Sequence, residues 1–237
     1  MKNILKHLPN ALTCSNLVCG CLGILSVLQT NPATNNGLVT GSYFLLAAAI
    51  FDFLDGFAAR LLGVSSAIGK ELDSLADCVT FGVLPSFMLY QLLGRSAVLA
   101  NSYWPYLAFS IAVFSALRLA KFNIDTRQSE QFIGVPTTAI GPVIASFPMI
   151  LAYQPQFGGL LTEPFVLIGF IILASYLLVS EIPILALKFK GFSWSQNQAR
   201  YIFIGTSAVL LVLLRFAAIP LVVALQIIFS IVFKNKI

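Results

Sequence analysis

Eight apolar stretches, at roughly 11–29, 38–62, 71–93, 103–122, 136–154, 164–187, 200–216 and 218–233, dominate this chain of 237 residues. Wound as helix, each is of a length to cross a hydrocarbon core about 30 Å thick. A segment inside lipid must satisfy its own backbone N–H and C=O groups, so stretches of this length are predicted as helices. The alternation over roughly ten residues that marks an outer-membrane barrel is missing. Charge agrees with this reading: 10% of residues are charged, against about 25% in soluble domains. The expected fold class is therefore all-α, a polytopic membrane helix bundle of about eight transmembrane helices. The last two stretches meet at a very short turn around Ala217 to Pro220 and are predicted to form a tight hairpin. The connections Thr30 to Asn36, Gln154 to Thr162 and Ser193 to Gln198 are brief and polar. No internal repeat or soluble domain is visible. Lys2 and Lys6 precede Pro9-Asn10 and a full-length apolar span without a small-residue cleavage site, so no cleaved signal is expected.

A net charge of +5 raises the possibility of a nucleic-acid partner, which the placement of the charges excludes. With the N-terminus inside and the spans alternating, twelve basic residues fall on the cytoplasmic side: Lys2, Lys6, Arg60, Lys70, Arg118, Lys121, Arg127, Lys188, Lys190, Arg200, Lys234 and Lys236. Only Arg95 and Arg215 fall outside. That asymmetry obeys the positive-inside rule, supports an even number of spans, and puts both termini in the cytoplasm. Cys14, Cys19, Cys21 and Cys78 form no C-x-x-C pair and are read as reduced core residues.

Acidic residues are scarce, and five of the nine lie between positions 52 and 77. Ionisable groups inside a span cost a few kcal/mol each on insertion scales (~2.5–3.5), so they are rare and mark function. Asp52 and Asp55 sit near the inner end of the second span, Asp73 and Asp77 at the start of the third. The spacings i, i+3 and i, i+4 put each pair on one helical face. A short turn through Gly63 to Gly69 brings the helices back antiparallel, so all four carboxylates can meet in one pocket. Such a pocket needs compensating charge, and Arg60 and Lys70 supply only two cations. Hard oxygen ligands favour two divalent cations, Mg2+ or Mn2+, the clamp used for displacement at phosphorus. Gly56, Ala59 and Gly69 remove bulk beside the acids, and Arg60, two turns from Asp52, can reach a phosphate. Helix capping or interfacial solvation explains one such aspartate, but not four on two faces.

The run Asp52-Phe-Leu-Asp55-Gly56-Phe-Ala-Ala59-Arg60, eight residues, Gly69, three, Asp73, three, Asp77 resembles the signature of the CDP-alcohol phosphatidyltransferase family at every fixed position. The resemblance implies a six-helix catalytic core, within an expected transmembrane domain at 1–190 followed by the hairpin at 191–237. It implies metal ligation by Asp52, Asp55, Asp73 and Asp77, with Asp77 also the general base. It further implies that Gly56, Ala59, Arg60, Ser66 and Gly69 bind the CDP moiety of CDP-diacylglycerol. The stretch Leu8-Pro9-Asn10-Ala-Leu-Thr13-Cys-Ser-Asn16 looks like the family's entry segment, where Asn10, Thr13 and Asn16 help to cradle the nucleotide. Read bottom-up, Asn10 is equally an ordinary N-cap.

For the acceptor alcohol, Arg118-Leu-Ala-Lys121-Phe-Asn123 followed by Phe132-Ile-Gly134-Val-Pro136-Thr137-Thr138 resembles the phosphatidylserine synthase branch of that family. Lys121 stands where the branch has arginine and Val135 where it has leucine, and lysine lacks arginine's forked contact with a carboxylate. The resemblance implies transfer of the phosphatidyl group to the hydroxyl of L-serine, releasing CMP, with Arg118, Lys121 and Asn123 at the serine site. Positive-inside anchoring alone also explains Arg118, Lys121 and Arg127. Charge does not separate serine from glycerol 3-phosphate or inositol phosphate; phosphatidylglycerophosphate synthase is the nearest alternative, and a cation-coupled transporter the alternative from another class. Asp125 and Glu130 are candidates for pairing with those cations or with serine's ammonium, and Glu181 is read as a polar partner within the bundle. His7 has no expected metal role, and Trp104 and Trp194 read as interfacial belt residues. The expected setting is the bilayer of a bacterial inner membrane, with the active site at the cytoplasmic face and a homodimer implied by the resemblance.

Overall fold

The computed structural model describes residues 6–31, 35–64, 66–99, 102–125, 132–184 and 194–232. Lys2, Arg127, Glu130, Lys188, Lys190, Lys234, Lys236 and the side chain of Trp194 lie outside the described residues. The chain forms a helical bundle: α1 Leu8–Leu28, α2 Asn36–Leu62, α3 Ala67–Gly94, α4 Trp104–Ile124, α5 Thr137–Tyr153, α6 Pro164–Val179, α7 Trp194–Leu214 and α8 Ala218–Val232. By length and composition, α1 to α4 and the stretch Arg200–Val232 can each cross a membrane, while α5 and α6 are shorter apolar helices. The stretch Arg200–Val232 doubles back on itself. The rings of Phe203 and Phe229 lie 6.1 Å apart, whereas a continuous helix would separate them by about 39 Å. Arg215, with φ 48°, makes the turn. The buried Gln154 secures it, donating from Nε2 to the Leu214 carbonyl at 2.9 Å and accepting from the Ala217 N–H at 3.2 Å.

Several boundaries differ from the sequence reading, each for a local reason. Helix α1 begins at Leu8 with Pro9 in its first turn, a place proline tolerates because that N–H has no partner anyway. Asn10 is therefore inside the helix and is not its cap. The sixth span ends at Val179, not 187. Pro183 forbids continuation, and 183–184 instead pairs antiparallel with Phe132–Ile133. The connection after α5 winds into a 3-10 turn at Pro155–Phe157 and a helical turn at Gly159–Thr162. Helix α7 begins at Trp194, with non-helical dihedrals at Asn197. Cys14 and Cys21 are exposed on the bundle surface and are not core residues; they share the outward face of α1 with Val18 and Leu25.

Three features bring the second and third helices together. Gly63 closes α2 in the left-handed region, φ 61°, and the Val64 N–H bonds to the Ala59 carbonyl at 3.0 Å, a terminator that glycine favours. Ser66 caps α3, its Oγ accepting from the Gly69 N–H at 3.0 Å. Beyond Asp77 the helix widens into a π turn, Cys78–Val83, and α1, α4 and α5 close on it. A Cβ at Gly20 would stand 2.5 Å from Thr80 Oγ1, and one at Gly141 would stand 3.1 Å from Phe81 Cα. A Cβ at Gly82 would meet Ser115 Cβ at 2.9 Å. Small residues at such crossings let backbones approach where lipid offers no hydrophobic drive for helix association.

Gly20→Val is therefore expected to force α1 off α3. Overpacking of this kind costs about 1–3 kcal/mol, read as a lowered midpoint of thermal unfolding in detergent; an unchanged midpoint contradicts the packing described.

Candidate active site

Three helices bring their polar residues to one end of the bundle. Helix α2 carries Asp52, Asp55, Gly56 and Ala59; α3 carries Gly69, Asp73 and Asp77; α1 contributes Asn10, Thr13 and Asn16 at a three-residue spacing that holds them on one face. One carboxylate oxygen each from Asp52, Asp55 and Asp73 lies within 4.8 Å of the others. Asp77, one turn beyond Asp73, is buried beside them and within electrostatic reach of Asp52 and Asp73. Thus the two pairs do converge, three acids sharing one point and the fourth flanking it.

Helix α1 supplies hydrogen bonds to two of these acids, Asp55 and Asp77. Thr13 Oγ1 donates to Asp55 Oδ2 at 2.6 Å. The same oxygen lies 3.1 Å from the Pro9 carbonyl, but a hydroxyl has one proton and the carboxylate is the nearer, charged acceptor. Asn16 Nδ2 donates to Asp77 Oδ1 at 3.2 Å, and Thr80 Oγ1 donates to the Asn16 carbonyl at 3.3 Å. Two buried oxygens, Asp73 Oδ1 and Asn16 Oδ1, have no hydrogen-bond partner among the described residues. An orphaned carboxylate oxygen within an all-oxygen donor set fits a hard divalent cation.

Beside the acids opens a cavity of about 200 Å³. Its walls include Asn10, Thr13, Gly56, Ala59, Ser66 and Gly69 together with Asp55 and Asp73. Polar side chains crowd Gly69: a Cβ there would lie 3.0 Å from Asn10 Oδ1 and 2.9 Å from Ser66 Oγ. Ser66 both caps α3 and lines the cavity. Arg60 is exposed and folds back over Gly56, where an added Cβ would lie 3.4 Å from its Nη1. Lys6 and Lys70 complete the cavity wall. Lys6 was counted at the sequence level only as a positive-inside residue, although its spacing to Asn10 and Thr13 continues the same face.

A second cavity, about 380 Å³, opens between the C-terminal ends of α4 and α6. Arg118 and Lys121 line it, while Asn123 does not. Asn123 instead joins α4 to α3: its Nδ2 donates to Ser74 Oγ at 3.0 Å and lies 3.3 Å from Glu71 Oε2, and its carbonyl accepts from Lys70 Nζ at 3.0 Å. Glu181 is exposed on the wall of this cavity, not enclosed in the bundle. The wall exists because Gly134, φ 78°, bends the strand segment over the end of α6. The Gly134 N–H bonds to the Ile182 carbonyl at 2.9 Å, and a Cβ there would meet the Leu178 carbonyl oxygen at 2.8 Å.

Residues 6–182 match the family model for CDP-alcohol phosphatidyltransferase. The chain is 37% identical over 157 residues to CDP-diacylglycerol–serine O-phosphatidyltransferase of Bacillus subtilis (strain 168), covering 62% of this chain and 81% of that protein. It is 36% identical over 182 residues to the Helicobacter pylori (strain J99) protein of the same name, covering 76% of this chain and 72% of that one. It is 32% identical over 178 residues to archaetidylserine synthase of Methanothermobacter thermautotrophicus, covering 74% of this chain and 68% of that protein.

Thr13→Val keeps the side-chain shape and removes the hydrogen bond to Asp55. It is expected to weaken Mn2+ binding about tenfold, the usual effect of losing a group that orients a ligand, measured by calorimetric titration of the folded protein. Unchanged affinity contradicts the orienting role.

Proposed function

The chain belongs to the CDP-alcohol phosphatidyltransferase family, and from that premise we propose that it transfers the phosphatidyl group of CDP-diacylglycerol to the hydroxyl of L-serine, releasing CMP. The observation that carries the mechanism is the convergence of Asp52, Asp55 and Asp73 oxygens within 4.8 Å, with Asp77 buried alongside. Asp52, Asp55, Asp73 and Asp77 hold two divalent cations, Mg2+ or Mn2+, in this reading; bound there, such ions neutralise the diphosphate and stabilise the leaving CMP. Thr13 and Asn16 aim the carboxylates, and Gly56, Ala59 and Gly69 admit the nucleotide close to the backbone. Asn10 and Ser66 offer it hydrogen bonds, and Lys6, Arg60 and Lys70 attract its phosphates. Asp77 takes the proton of the acceptor hydroxyl as its oxygen attacks the lipid-linked phosphorus, and the phosphorus–oxygen bond to CMP breaks.

Geometry also supports a reaction at the membrane surface. Acyl tails stay in the bilayer while the head group enters the cavity at the bundle's end, which the positive-inside pattern assigns to the cytoplasm. Serine as acceptor is supported by the relatives' names. The transfer chemistry is assigned to residues 1–190, with 191–237 a hairpin appended to that core, and the working unit to a homodimer.

Purified protein in detergent, given CDP-diacylglycerol and serine, is expected to release CMP and form phosphatidylserine, and EDTA is expected to stop the reaction. Asp77→Asn is expected to lower kcat by about 10²–10⁴-fold while the protein stays folded. Product with glycerol 3-phosphate but none with serine overturns the acceptor; full activity of the variant overturns the base.

A further inference from the structure

The second cavity carries charges of both signs, a pattern the transfer chemistry at the carboxylates does not call for. On α4 stand Arg118 and Lys121; Asp125, at the end of α4, and Glu181, just beyond α6, line the same cavity. Arg118 is buried, with 8% of its surface exposed. Its Nε has no hydrogen-bond partner among the described residues, and its guanidinium lies 5.0 Å from the centroid of the Phe122 ring. A buried, under-partnered guanidinium is costly unless an anion completes it. Two residues beyond Lys121, Asn123 bonds to Ser74, the neighbour of Asp73, so this end of α4 is tied to the helix that carries the acids. Asp125 already has an interaction of its own. Glu181 has no hydrogen bond or ion pair among the described residues, and it is an exposed residue of the cavity wall.

Taking this cavity as the acceptor site that the resemblance implies, we propose that Glu181 is its specificity residue, binding the ammonium of an amino-acid alcohol whose carboxylate sits on Arg118 and Lys121. The proposal rests on the serine-transferase reading and supplies what cations alone do not, a reason to reject phosphorylated alcohols. Arg118 and Lys121 attract any anion, and a phosphate attracts them more than a carboxylate does. Glu181 reverses that preference, because a dianionic phosphate meets a like charge there, whereas a zwitterion meets an opposite charge at each end. Ser180 and the strand at Ile133, held over the cavity by Gly134, form the remaining wall. A volume of about 380 Å³ accommodates a small amino acid with accompanying water.

The test is steady-state kinetics of the full-length protein with serine, together with inhibition by 3-hydroxypropionate, which is serine without its ammonium. Glu181→Gln preserves shape at an exposed position. It is expected to raise KM for serine about tenfold, in line with loss of a charge-assisted contact, with KM for CDP-diacylglycerol and kcat changed less than about twofold. The wild-type preference for serine over 3-hydroxypropionate is expected to disappear in the variant, because the analogue lacks the group Glu181 binds. A wild type that uses serine and a variant with unchanged KM and unchanged preference overturn the assignment of Glu181 alone. A wild type that never uses serine takes down the serine-transferase reading, and this proposal with it.

Discussion

Mutual repulsion among carboxylates is the constraint around which the inner end of this bundle is organised. Two unit charges separated by 4.8 Å, the outer limit of the spacing among Asp52, Asp55 and Asp73, repel by about 3–4 kcal/mol at an effective dielectric of 20. Three such oxygens, with Asp77 adjacent, amount to a penalty comparable with the whole stability of many domains. The two partners that α1 supplies, Thr13 on Asp55 and Asn16 on Asp77, orient these acids without neutralising them. The surrounding bundle is built tightly enough to hold the acids together, which is the condition for divalent cations to bind with their ligands already in place.

That tightness comes from how few atoms separate the helices. Gly20 and Gly141 pack against the π turn that follows Asp77, and Gly82 lies within it. A π turn adds one residue to the helical circuit, and such turns recur at functional sites. Here it lies between the acids and the apolar core of Leu84, Met88 and Leu89, all of which are fully buried. Asp77 therefore sits where helix geometry changes, between a polar mouth and a closely packed interior.

Much of this was legible in the sequence, because membrane physics makes charges conspicuous. Four aspartates in apolar surroundings, at helical spacing on either side of a glycine-bounded turn, specify their own convergence. The hairpin of α7 and α8 was visible in the shortness of its turn, while its clasp, Gln154, was not. A lone glutamine at a helix end carries no periodic signal, and its partner carbonyl lies 60 residues away. The end of α6 was missed because apolar residues continue past Val179, and hydropathy cannot distinguish a helix from a strand pair. Glu181 was misread for the same reason: assigned to a span it looked enclosed, but beyond the helix end it faces a cavity. Asn123 belonged to a motif whose other members line that cavity, yet the helical turn sends it to Ser74 on α3. The π turn left no pattern that side-chain identity encodes.

The central claim is that the aspartates of α2 and α3 jointly hold a pair of divalent ions. Electron paramagnetic resonance of the purified protein titrated with Mn2+ tests it most directly. The account predicts a spin-coupled signal from two neighbouring ions, saturating at two per chain and lost in Asp73→Asn. A signal from isolated ions only, or a coupled signal that survives this substitution, would contradict it.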